Sequence, residues 1–213
     1  GMAFGMNVQS RPRATEDPSD LIGRPLRDVA VLAKSWNFED AGIGMAAVNA
    51  YHSHPVRALA HGFTPSKENN WARTFHPYAP LVAGKRVAVI GHFPFAAAAM
   101  PDAAQLTILE RNVFDGDYPD SACEYLLPDM DYVFISGSAF VNKTMPRLLE
   151  LASDAHTVVL GPSAPASPAI LRAGATTVMS FASAHPARLE DGLAGRSLLG
   201  MYDAGMRVEL TRP

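Results

Sequence analysis

VAVIGHFPFAAAAM, residues 87–100, decides the fold. Four apolar residues, Val87–Ile90, run straight into Gly91, as in a strand that delivers the chain to the first tight turn of a nucleotide-binding α/β sheet. The turn then leaves that pattern. Where a dinucleotide site continues Gly-x-Gly-x-x-Gly, this chain reads Gly91-His92-Phe93-Pro94-Phe95. Gly91 allows the backbone to turn sharply, His92 puts an imidazole at the rim, and Pro94 fixes the chain so that Phe93 and Phe95 wall a crevice. This suits a small ligand or metal chelate with an apolar body better than a pyrophosphate.

Outward from this stretch, strands and helices alternate. Apolar runs at 86–90, 106–109, 132–136, 157–160 and 177–181 are continuous rather than alternating, as expected of strands buried on both faces of a parallel sheet. Helical spacing fills the intervals at 95–99, 121–127, 144–152, 168–173 and 186–193, with Ser167 as N-cap, Pro168 at the first helical position and Gly174 as the stop. Repeated strand–helix units predict a Rossmann-like, doubly wound, mostly parallel α/β sheet. The tail 207–210 is expected to add an edge strand. Towards the N-terminus, 21–35 and 39–52 read as helices, the second with a face of small residues, Ala41, Gly42, Gly44, Ala46, Ala47 and Ala50, suited to close packing. Residues 53–80 read as a surface connector. Residues 1–20 read as an irregular lead-in, with Gly1 set aside as a tag-cleavage scar, and 21–213 as one domain.

Composition narrows the function. Of 213 residues, 48% are hydrophobic and 18% charged, with a net charge of −3. No basic patch points to nucleic acid or a membrane surface, no apolar run is long enough to span a bilayer, and no signal-peptide layout opens the chain. A single cysteine, Cys123, excludes an internal disulfide and fits a reducing, cytoplasmic setting.

Ligands of open α/β sheets bind outside the carboxyl ends of the strands. Those ends carry Gly91-His92, Glu110-Arg111, Ser136-Gly137-Ser138 and Gly161-Pro162-Ser163. His92 is open to use as a metal ligand, a general acid or base, or an anion donor, against a bland role in capping a helix. Glu110 could take a ribose, a metal or an amine, or simply pair with Arg111. Asp117, in "GDYPD" (116–120), could reach the same crevice, although a plain turn is the simpler reading. Asn142, Lys143 and Thr144 open a helix whose N-terminus, reinforced by Lys143, would attract a carboxylate, phosphate or sulfate. Cys123 reads as a buried structural thiol.

Taken together, "GIGMAAVNAY" (42–51), "VAVIGHFPF" (87–95), "ILERNVFDGDYP" (108–119), "YVFISGSAFVNKTMPRLLEL" (132–151) and "VLGPSAPASP" (159–168) resemble the heavy-metal chelatase family, a domain family named for an inferred function. The resemblance runs over about residues 21–210. It implies an N-terminal domain similar to that of enolase, a Rossmann-like C-terminal domain, and a site in the crevice between them. Here "GMAFGMN" (1–7) matches only the last piece of the first domain, so a wall of the cleft is expected to be missing or supplied by a second subunit. The sequence thus predicts a homodimer that binds a divalent or heavy-metal ion, or a metal chelate, through His92 and Glu110. Around them stand Asn49, Gly91, Phe93, Asp117, Ser136, Gly137, Ser138, Asn142, Lys143, Thr144, Gly161, Pro162 and Ser163. The competing expectation is a module for a small anionic organic ligand or nucleoside, without metal.

Overall fold

The structure, a computed structural model, describes residues 1–6, 8, 11–14, 17–68, 70–197 and 200–213. Parts of the lead-in and connector, Asn7 among them, lie outside the described residues. The described residues form one eight-stranded sheet: β1 (Thr64–Pro65), β2 (Arg86–Ile90), β3 (Gln105–Glu110), β4 (Tyr118–Pro119), β5 (Tyr132–Ser136), β6 (His156–Leu160), β7 (Thr177–Ala182) and β8 (Met206–Thr211). They lie in the order β1-β8-β7-β6-β5-β2-β3-β4. Strands β2 to β7 are mutually parallel. Counted from β2, they follow the 3-2-1-4-5-6 order of the Rossmann sheet, so the chain reverses its direction of winding between β2 and β5. The predicted fold class is therefore observed. The C-terminal strand is not at the edge: β8 pairs antiparallel with β7 on one side and with the two-residue β1 on the other.

Both faces of the sheet are covered. On one, Val87, Val89, Phe134, Val158, Leu160 and Met179 pack under Phe75, Tyr78 and Val82 of the connector and under α5 (Ala96–Ala99). Phe134 meets Phe75 and Tyr78 edge-on, with ring centroids 5.1 and 5.0 Å away. The connector is thus core, because its aromatic rings need a covered face. It also holds α3 (Pro55–Ala60), β1 and α4 (Ala79–Val82). On the other face, Ala88, Leu109, Val133, Ile135, Val159 and Val178 pack against α6 (Cys123–Leu126), α7 (Met145–Leu151) and α8 (Ala169–Arg172). The last helix, α9 (Pro186–Leu193), has no buried residue.

The expected helix over 21–35 is interrupted. Gly23 sits at φ 80 and Pro25 supplies no N–H, so α1 covers only Leu26–Ala30 and continues as a 3-10 turn over Val31–Lys34. Helix α2 (Phe38–His52) starts where Asn37 caps it, its side chain accepting from the Glu39 and Asp40 amides. The small-residue face of α2 is used within the chain. A Cβ at Gly44 would lie 1.9 Å from the Ala33 nitrogen, and one at Gly42 would lie 3.2 Å from the Phe4 carbonyl oxygen. That face is therefore covered within the chain, by 31–34 and by the N-terminal segment.

Helix α2 ends in an acid-sensitive contact. The His52 ring lies 5.5 Å from that of His61, whose Nδ1 is 3.2 Å from the Ala166 carbonyl. Burial, with His61 and Arg57 nearby, lowers the His52 pKa from the ordinary 6.5. The unfolded chain therefore takes up this proton first. Stability should fall as pH drops below 6.5 and level off under the lowered folded value. Urea unfolding between pH 7 and pH 5 should show this slope reduced in His52→Gln.

Candidate functional site

The crevice opens at the reversal point, where β2 and β5 end side by side. Gly91 adopts φ 108, and a Cβ there would lie 3.2 Å from the Ser136 Cβ, so only glycine fits both the turn and the neighbour. The His92 amide then donates to Glu110 Oε2 at 2.8 Å, which ties the turn to the end of β3. The other Glu110 oxygen accepts from the Arg111 and Asn112 amides, at 2.6 and 3.2 Å. Glu110 lines the crevice, but its carboxylate is spent on the loop backbone. As an expected metal ligand it would therefore have to share a carboxylate already held by three backbone amides.

Asp117 holds the imidazole instead. Its Oδ2 lies 2.8 Å from His92 Nδ1 and also accepts from the Phe114 amide at 3.2 Å. The Asp117 side chain is 3% exposed and that of His92 27%. An ionised carboxylate only accepts, so this bond places the proton on Nδ1 and leaves the lone pair of neutral imidazole on Nε2. The ring is backed by Phe114, centroid to centroid 4.3 Å. A loop that reads as a plain turn thus fixes the orientation and tautomer of the one imidazole on this rim.

On the β5 side, Ser136 Oγ accepts from the Ser138 amide and hydroxyl, at 3.3 and 2.9 Å. Asn142 Oδ1 accepts from the Thr144 amide and hydroxyl, at 3.1 and 2.6 Å. Lys143 departs from expectation. It is held in the left-handed region at φ 68, and its ammonium donates to the Ala33 carbonyl, away from the crevice. The expected anion site therefore lacks its cation, and α7 spans only seven residues. Lys143 is an anchor for the N-terminal helices. Lys143→Gly should prove more stable than Lys143→Ala by about 1 kcal/mol in urea unfolding, because both lose the bond but only glycine escapes the left-handed strain.

On the β6 side, Gly161 turns at φ 110 and Ser163 Oγ accepts from the Phe4 amide at 2.8 Å. Asn49, expected among ligand contacts, is fully buried. Its Nδ2 donates to the Met2 and Ser163 carbonyls, at 2.6 and 3.1 Å, and clamps the N-terminal segment to the rim. Residues 2–6 so become a wall of the crevice.

The crevice encloses about 1220 Å³. Of the residues expected from the sequence, Gly91, His92, Phe93, Glu110, Ser136, Gly137, Ser138, Asn142, Thr144, Gly161, Pro162 and Ser163 line it, while Asn49, Asp117 and Lys143 do not. Phe4, Arg111, Phe114, Arg147 and Tyr202 line it as well. Phe4 carries no local signal, since its partner is 159 residues away. Cys123 also reaches the wall, but burial pushes its thiol up to about 11, so it stays protonated at neutral pH. Among the described residues, no three His, Cys, Asp or Glu side chains come together as a cage for an ion.

Sheet order and crevice define a Rossmann-like α/β protein with a crevice at the reversal point, the place where open α/β sheets commonly bind ligands. The chain belongs to the family described as "Putative heavy-metal chelation", whose model matches residues 75–206; a second model with the same description matches residues 1–52. It is similar to a crystal structure of a protein of unknown function from that family, from Desulfitobacterium hafniense DCB-2. The identity is 38%, the TM-score 0.84, and the match covers 95% of this chain and 82% of that one. A Pyrococcus horikoshii member of unknown function, 22% identical, shares the fold with a TM-score of 0.74 over 99% of this chain and 83% of its own. An uncharacterized protein of Methanocaldococcus jannaschii is 27% identical over 182 residues, 80% of this chain. The chain spans 65% of that relative's length. Among the described residues, no helix is long and apolar enough to cross a membrane.

Proposed function

We propose that the crevice receives a metal ion that arrives already held by a small organic ligand, with His92 Nε2 as the protein's own contact to the metal. The observation that carries this reading is the bond between His92 Nδ1 and the buried Asp117, which leaves Nε2 as the free lone pair. Histidine ligands are commonly oriented by a carboxylate in this way. A bare ion does not fit the residues present. Structural and catalytic sites supply three or four protein ligands, whereas Glu110 is tied to the backbone, Cys123 is protonated and no three-residue cluster forms among the described residues. One imidazole beside 1220 Å³ of space suits a metal that brings its remaining ligands along. The bound metal would supply Lewis acidity or simply be the cargo; His92 would orient it and the apolar walls would exclude water.

The alternative, an anionic organic ligand without metal, is less well served, since Lys143 turns away and the cations on the wall are paired. Native mass spectrometry of untagged protein, with elemental analysis, tests the reading. A metal-containing adduct is expected in the wild type and absent from His92→Ala. An adduct retained by His92→Ala, or one without metal, would overturn it.

A further inference from the structure

The charges on the crevice wall are already spoken for, and this narrows the kind of chelate it can take. Arg111 Nε lies 3.0 Å from Asp120 Oδ2. Arg147 Nε lies 2.9 Å from Glu124 Oε1, and its Nη1 lies 2.8 Å from Glu150. Glu110 accepts three backbone amides. The lysine nearest the rim points to Ala33. Apolar side chains make up much of the remaining wall, Phe93, Phe114, Met2, Phe4, Leu148 and Leu151 among them, beside the neutral polar Ser136, Ser138, Asn142 and Thr144.

We infer that the site selects a metal chelate whose organic part is an apolar, flat body and whose net charge is zero or positive, and discriminates against anionic chelates. The inference deepens the proposed function and rests on it. An anionic complex entering this wall would give up water and meet three carboxylates, those of Glu110, Asp120 and Glu124, against two arginines, Arg111 and Arg147. That loss of hydration is not repaid. A flat body with an aromatic or aliphatic face gains by covering phenylalanine and leucine surface. Such a body would also meet the stacked, tilted rings of His92 and Phe114. The cation nearest the rim, Arg111, has its charge offset by the Asp120 carboxylate 3.0 Å from its Nε. The Arg111–Asp120 pair is thus the element that sets the sign of the charge admitted.

Calorimetric titration with three probes tests this: zinc(II) alone, the dicationic one-to-one complex of zinc(II) with 1,10-phenanthroline, and the anionic complex with nitrilotriacetate. The phenanthroline complex should bind at least about tenfold more tightly than either of the others. In Asp120→Asn, where Arg111 loses its partner, the nitrilotriacetate complex should gain several-fold while bare zinc(II) does not. An anionic complex that binds the wild type as tightly as the phenanthroline complex would overturn the inference. So would bare zinc(II) binding as tightly as either chelate, or no binding of the phenanthroline complex. An affinity order that holds but is untouched by His92→Ala would leave charge selection standing and remove the proposed role of His92.

Discussion

Gly137→Ala should destabilise the fold by about 3 kcal/mol, the upper end of the usual cost of overpacking. Gly137 follows directly on β5 and is buried. A Cβ built there would stand 2.4 Å from the Ala164 nitrogen and 2.7 Å from the Ser163 carbonyl carbon. Both obstacles are backbone, so no side chain can swing aside, and the segment 161–164 must move. Ser163 would move with it. Ser163 latches Phe4 through its hydroxyl and Asn49 through its carbonyl, so the strain passes into the N-terminal wall of the crevice. Two effects are therefore expected together: a lower urea midpoint, and faster hydrogen exchange at the Phe4 amide than global unfolding explains. A stability loss below about 1 kcal/mol with unchanged Phe4 exchange would show that the rim is softer than its packing implies.

The same junction marks the boundary of what the sequence makes legible. The parallel strands are readable because burial on both faces forces continuous apolar runs, and β2, β5, β6 and β7 emerge within a residue of expectation. The rim is readable because turns at strand ends need glycine and serine. The strands β1 and β4 are two residues each and leave no period to detect. The position of β8 depends on pairing far upstream, since Ser66 and Glu209, 143 residues apart in sequence and 2.7 Å apart in space, close that edge. Side-chain direction is harder still. Lys143 sits one residue from a crevice-lining asparagine, and only its left-handed backbone turns it towards Ala33. Asp117 reads as a turn residue able to reach the crevice, but its pairing with His92 does not show, because the two lie 25 positions apart. Local propensity marks where a site stands; the tertiary partners that decide its chemistry are non-local.

Asp117 carries the second large effect. Its Oδ2 takes two donors at once, the His92 ring and the Phe114 amide. The amide is fixed in the backbone and demands an oxygen at that point. In Asp117→Asn the side-chain oxygen should therefore stay in place, keep Nδ1–H as the donor and preserve the tautomer, while the negative charge is lost. Metal-dependent affinity should then fall about tenfold. Asp117→Ala removes the oxygen itself. The imidazole is then free to rotate on Phe114 and to carry its proton on either nitrogen, and affinity should fall up to about a hundredfold, the range seen when the carboxylate behind a metal-bound histidine is removed. Titration with the zinc–phenanthroline complex measures both, and the graded order wild type, Asn, Ala is the signature of a residue acting through His92. In a His92→Ala background neither Asp117 substitution should weaken binding further, because the partner that transmits the effect is gone. Additive losses in the double variants would assign Asp117 a contact of its own with the ligand and contradict its burial behind the ring.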